Sequence, residues 1–177
     1  VDGPISAVLF IESGSVAATI PMQNGEAVEA FTLGSEAVTG GWGEQTRGAY
    51  RLVTKSDVTG LAVDIKTLAA VVERRTPVRR ILLDYGVRLS VELAHNAACN
   101  LRHRTDERLA KWLLRQHDRE GPAPIRETVL GLSQILGVQR KAARGAVDAL
   151  REAGIIETAR GAVIITDRAA LEARVCE

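Results

Sequence analysis

Three basic residues, Arg140, Lys141 and Arg144, fall within five positions in the stretch "GVQRKAARGAVDAL". Guanidinium and ammonium groups donate to the O6 and N7 acceptors of guanine, so such a trio opening a helix suits base edges in a major groove. Gln139, just ahead of them, and the N–H groups of a helix N-terminus suit phosphate oxygens. Further on, Arg160 in "ETARGAV" is placed to meet a phosphate if it tips a hairpin. The bland alternative is a solvated basic face on a structural helix. Catalytic constellations are missing by comparison: there are no paired carboxylates, no nucleophile beside a base and no metal-ligand spacing. Cys99 and Cys176 are far apart, and His95, His103 and His117 have no converging partner in the sequence, so they read as surface or interface residues.

The elements that must carry the basic trio are legible around it. Thr128 is a helix N-cap for a segment over 129–136, and it stands beside the basic residues as a candidate DNA contact. Leu132, Ile135 and Leu136 face inward, Gly137 makes the turn and Val138 plugs it. A second helix is expected from Arg140 to Ala153 with Gln139 at its cap, Ala143, Val147 and Leu150 on its buried face, and Gly154 just past its end. Helix, glycine turn, helix is the helix-turn-helix pattern. The β-branched runs of "IIETARGAVIITD" flank Arg160-Gly161 as a hairpin, a wing directly after the second helix. Asp167 caps a last helix, "RAALEARV".

Upstream the period changes. Residues 5–65 alternate and are punctuated by glycine turns, with Ser13-Gly14 between two apolar runs and Asn24-Gly25 as a strong hairpin signal. Several short strands of this kind make a small sandwich or barrel. "KTLAAVVERR" reads as a short helix. Thr76 is an N-cap with Pro77 at the first helical position, and nothing but Gly86 interrupts a helix to about Arg102, roughly 39 Å long at 1.5 Å per residue. Leu82, Tyr85, Leu89, Leu93 and Asn96 fall on or beside a heptad seam that starts at Val78, so the expectation is a helix paired with its copy in a dimer. Thr105 is the expected N-cap of "TDERLAKWLLRQHDREG", with Leu109, Trp112 and Leu113 buried.

The chain has 177 residues and a formal net charge of +1 at pH 7, unevenly spread. Residues 1–76 hold six Lys and Arg against nine Asp and Glu, whereas residues 101–177 hold fourteen against eleven. An acidic front and a basic rear place a polyanion partner at the rear. No run approaches the ~20 apolar residues of a membrane helix and no signal-peptide pattern opens the chain, so a soluble cytoplasmic protein is expected, without a membrane partner. The first residue is not Met and the chain opens inside an alternating pattern, so the β domain is expected to lack its N-terminal part in this numbering.

The order of these segments resembles the Crp/Fnr superfamily of bacterial transcription regulators, the cyclic-AMP receptor protein family. The motifs that carry the resemblance are "NAACNLRHRTDERLAKWLL", "LSQILGVQRKAARGAVDALREAGII" and "RGAVIITDRAALEA". It implies an α+β chain: a cyclic-nucleotide-binding-like double-stranded β-helix over 1–76, a dimerisation helix over 77–103 and a winged helix-turn-helix over 104–177. It also implies a homodimer on a pseudo-palindromic double-stranded operator, base contacts at Arg140, Lys141 and Arg144, allosteric control from the β domain, and no enzymatic activity. RNA polymerase is a further partner of such regulators, although no motif here marks the surface. Lys141 stands where the family has Glu and Gly145 where it has Arg, so the target sequence should differ. Glu36 and Arg47 match the family's effector-binding pair, but the rest of that cassette departs from the pattern. A cyclic nucleotide is therefore not the expected ligand, and no cofactor is assigned. An iron–sulfur cluster needs about four cysteine ligands, more than this sequence holds. The competing function is an effector-binding or protein-interaction module whose helix-turn-helix contacts protein.

Overall fold

In the computed structural model, residues 6–23, 25, 27–40 and 50–175 are described. They form two compact units, one drawn from residues 1–21 and 31–98, the other from 22–30 and 99–177.

The first unit is built on short antiparallel strands. β1 (Ala7–Ser13) pairs with β5 (Thr59–Asp64), and β2 (Val16–Pro21) pairs with β4 (Arg51–Thr54) in a three-stranded sheet whose other edge is β3 (Ala27–Leu33), of which only residues 31–33 belong to this unit. The expected turn at Gly14 is present in a left-handed conformation, φ 82°. At the expected hairpin the Gly25 N–H donates to Met22 O at 3.1 Å, while Asn24 lies outside the described residues. Asp64 ends β5 and caps the short helix α1 (Ile65–Arg74), its carboxylate accepting from Thr67 N–H at 2.9 Å. That hydrogen bond, above all, holds the Asp64 carboxyl below its ordinary range.

Helix α2 (Thr76–Arg102) has the length the sequence implies. On it Leu82, only 4% exposed, joins Val8, Val38 and Leu68 in one core, with Val78 and Tyr85 packed against them. Leu82 and Tyr85 face their own β strands, because those strands offer apolar surface to the same stripe that a partner helix would take. The boundary between the units falls inside α2, after residue 98.

The second unit is a three-helix core closed by a small sheet. α3 (Thr105–Glu120), α4 (Val129–Leu136) and α5 (Arg140–Glu152) surround Leu109, Leu113, Leu132, Leu136, Val147 and Leu150. Strands β6 (Ile125–Arg126), β7 (Ile156–Ala159) and β8 (Ala162–Ile165) pair in the order β6-β8-β7, and α6 (Arg168–Glu172) docks Leu171 into the core. α3 begins one residue earlier than expected. Arg104 is the cap and Thr105 is already helical, because Glu107 reaches back to accept the Arg104 N–H at 2.8 Å. Residues 22–30 group with this unit, where Glu29 accepts the indole N–H of Trp112 at 3.3 Å.

Leu150 is fully buried in the second core, so Leu150→Ala removes apolar contacts on every side. A loss of about 2–5 kcal/mol is expected in urea denaturation. Leu130→Ala, at a side chain 52% exposed on α4, should change stability by no more than about 0.5 kcal/mol.

Candidate nucleic-acid interface

The turn between α4 and α5 is set by local chemistry. The Thr128 hydroxyl accepts from Gly131 N–H at 3.0 Å and caps α4. The Glu127 carboxylate lies over the same first turn, where Gly131 has no side chain to displace it. α4 stops at Gly137, which adopts φ 60°, ψ 40°, a left-handed conformation that costs a residue without Cβ almost nothing. Val138 N–H then donates to Ser133 O at 3.0 Å, and the Arg108 guanidinium of α3 donates to Leu136 O. A cation at the carbonyl end of α4 is favourable to its dipole. Burial draws the Arg108 pKa below its ordinary value.

α5 begins after Gln139, which has extended backbone and no side-chain capping bond. Its buried stripe is Ala143, Ala146, Val147 and Leu150. Arg140, Lys141 and Arg144 lie outside that stripe and are exposed to solvent. The wing follows in register: Ala159 pairs with Ala162, so Arg160 and Gly161 are the two central residues of a tight hairpin. Both have positive φ, 43° and 80°, as a two-residue turn matched to the strand twist requires.

A groove of about 340 Å³ runs between the start of α4, the polar face of α5 and the wing. Four of the expected contacts line it: Thr128, Arg140, Arg144 and Arg160. Gln139 and Lys141 are exposed on α5 but do not line it. The groove also gathers residues the sequence reading did not single out, Glu127, Asp148, Arg151 and Thr158. Asp148 continues the i, i+4 spacing from Arg140 and Arg144 and Arg151 follows three residues later, and that helical periodicity was the available signal. Arg151 and Asp148 form an ion pair at 2.8 Å. Four arginines against two carboxylates leave the groove cationic.

The first unit holds its own cavity of about 400 Å³, between β strands and α2. Glu36 lines it and accepts from Gly34 N–H at 3.3 Å; Arg47, its expected companion, lies outside the described residues. Tyr85 and Leu89, expected at a subunit seam, are cavity walls, together with Leu82, Arg88 and Glu92. Tyr85 donates its hydroxyl to Val38 O at 3.2 Å, and burial raises its pKa. Leu93 and Asn96 are half-buried.

The three histidines do not converge. His95 is exposed, His103 is half-buried and His117 Nδ1 lies 2.8 Å from Arg168 Nη1. Among the described residues no group of three or more His, Cys, Asp or Glu is placed to hold a metal ion. Cys99 is buried with the Lys111 ammonium 3.4 Å from its sulfur, and Cys176 lies outside the described residues. Among the described residues no helix is long and apolar enough to cross a membrane.

Thr128→Ala should cost about 1 kcal/mol by removing the α4 cap, and Thr128→Ser should restore most of it. Denaturation midpoints of the two variants check this.

The family model of the Crp-like helix-turn-helix domain matches residues 107–174. No curated protein sequence matches the chain. Among solved structures, a Crp/Fnr-family transcriptional regulator from Thermus thermophilus is similar with a TM-score of 0.80 and 17% identity, covering 98% of this chain and 90% of that one. FixK2 from Bradyrhizobium japonicum follows at 0.78 and 17%, covering 99% and 90%. The c-di-GMP-responsive global regulator CLP of Xanthomonas campestris is similar at 0.67 and 19%, covering 93% and 86%. Residues 107–174 are thus a Crp-like helix-turn-helix domain, and the chain as a whole has the fold of the Crp/Fnr transcription regulators.

Proposed function

We propose that this chain is a cytoplasmic, sequence-specific DNA-binding transcription regulator that acts as a homodimer under control of its N-terminal unit. The observation that carries the reading is the cationic groove in which Arg140 and Arg144, at the start of the second helix of the helix-turn-helix, stand beside the Arg160 wing tip. In such a domain the N-terminal residues of that helix meet base edges, and the wing and helix caps meet the backbone. Arg140, Lys141 and Arg144 are then the base readers, and Gln139, Thr128 and Arg160 the backbone contacts.

The dimer rests on a second observation. While one side of α2 closes the cavity, the other leaves Leu83, Val87 and Val91 57%, 64% and 52% exposed. A row of exposed apolar side chains along a helix of 27 residues fits burial against a second copy. The subunit seam then lies on Leu83, Val87 and Val91 rather than on Leu82 and Tyr85. The same helix lines the cavity through Arg88, Leu89 and Glu92, so an effector beside Glu36 acts directly on the element that joins the subunits.

Genome-fragment selection and footprinting test the reading. An inverted repeat with half-sites roughly 34 Å apart is expected. Absence of salt-sensitive binding to any duplex would overturn it. Arg140→Ala and Arg144→Ala should each weaken operator binding by about 1–3 kcal/mol, read by fluorescence anisotropy. Val87→Asp with Val91→Asp should shift the protein from dimer to monomer in sedimentation velocity, and leave the fold intact by circular dichroism.

A further inference from the structure

The polar face of α5 does not stop at Arg144. Arg140, Arg144, Asp148 and Arg151 follow at steps of four, four and three, which places them in one stripe. All four line the groove. Asp148 is the carboxylate that α5 contributes to it, and its Oδ1 is 2.8 Å from Arg151 Nη2.

Helix geometry separates the two ends of this stripe. At 1.5 Å per residue Arg151 stands roughly 16 Å along the axis from Arg140, more than the about 12 Å width of a major groove. A helix that inserts its first turns among base edges therefore carries Arg151 to the level of the sugar–phosphate rim. There a free guanidinium neutralises phosphate whatever the sequence, and a carboxylate repels it.

We propose that Asp148 is a specificity-determining residue: it ties up Arg151 in an ion pair and sets a negative charge in the cationic groove, so that sequence-independent binding is weakened. This rests on the DNA-binding reading above and adds to it a penalty on the wrong DNA. Non-specific binding is supplied essentially by phosphate neutralisation, whereas operator binding adds base contacts that fix the position of the helix. A released Arg151 is free to find a phosphate wherever the head settles on random DNA. On the operator it is confined to one position. Removing the Asp148 charge should therefore help random DNA more than the operator, and specificity, a difference of affinities, falls.

The test uses the full chain in fluorescence anisotropy across a potassium chloride series, with a random-sequence duplex and with the duplex recovered by selection. Asp148→Asn keeps the side-chain shape and removes the charge. It should bind the random duplex several-fold more tightly, with a salt slope steeper by about 0.9, one further phosphate contact. The operator-to-random ratio should fall. The double variant Asp148→Asn with Arg151→Gln should return the slope to that of the unaltered protein. The slope is the discriminating readout, because merely loosening a helix would not steepen it. Unchanged random-duplex affinity and slope in Asp148→Asn overturns the proposal. So does a gain that survives undiminished in the double variant, since Arg151 is then not the released cation. Failure of the underlying reading looks different: the unaltered protein would itself show no salt-sensitive binding to any duplex, which overturns both.

Discussion

The second unit depends on one constraint: α5 can remove only one of its faces from water. Ala143, Ala146, Val147 and Leu150 occupy that face against α3 and α4. A period of 3.6 residues then leaves Arg140, Arg144, Asp148 and Arg151 in a stripe alongside that face and outside the core, whatever else the chain does. Burial of four side chains is thus what aims the cations. Any rotation of α5 that hid an arginine would leave a charge unpaired in an apolar core, which costs far more than the rotation could recover.

The neighbouring elements make that aim useful by fixing where α5 starts and what stands beside it. Gly137 turns the chain in three residues because a left-handed backbone is open to it. The first turn of α4 is held by Thr128 and Glu127, so the groove has a firm rim on one side. On the other, the tight hairpin at Arg160-Gly161 brings a guanidinium to the tip of the wing. These contacts are all short-range, so the groove is shaped within its own unit.

α2 has two unlike faces. Leu82, Tyr85 and Leu89 close a cavity in their own unit, with Glu36 and Arg88 at its polar edge. Leu83, Val87 and Val91 stay outside. Both faces carry apolar side chains, so neither face could be chosen as a dimer seam from periodicity. A ligand in the cavity and a partner on the outer face would press on opposite sides of the same cylinder. Coupling between them then needs no longer path than the helix diameter, about 10–12 Å.

Much of this was legible in the residues. The helix-turn-helix, the wing, the long helix starting at Thr76-Pro77 and the glycine turns all follow from local rules: caps, φ preferences and apolar spacing act within a few positions and are written in order along the chain. The basic trio was legible for the same reason, and Asp148 and Arg151 obey the same spacing one turn later. Tertiary structure decided the rest. An apolar stripe records that a face must be buried but not against what, so only the folded chain shows Leu82 and Tyr85 turned to Val8 and Val38. Likewise a charge on a helix becomes part of a site only when another element closes over it. Arg140, Arg144 and Arg160 are twenty residues apart at their extremes, and it is the return of the wing beside α5 that sets them in one groove.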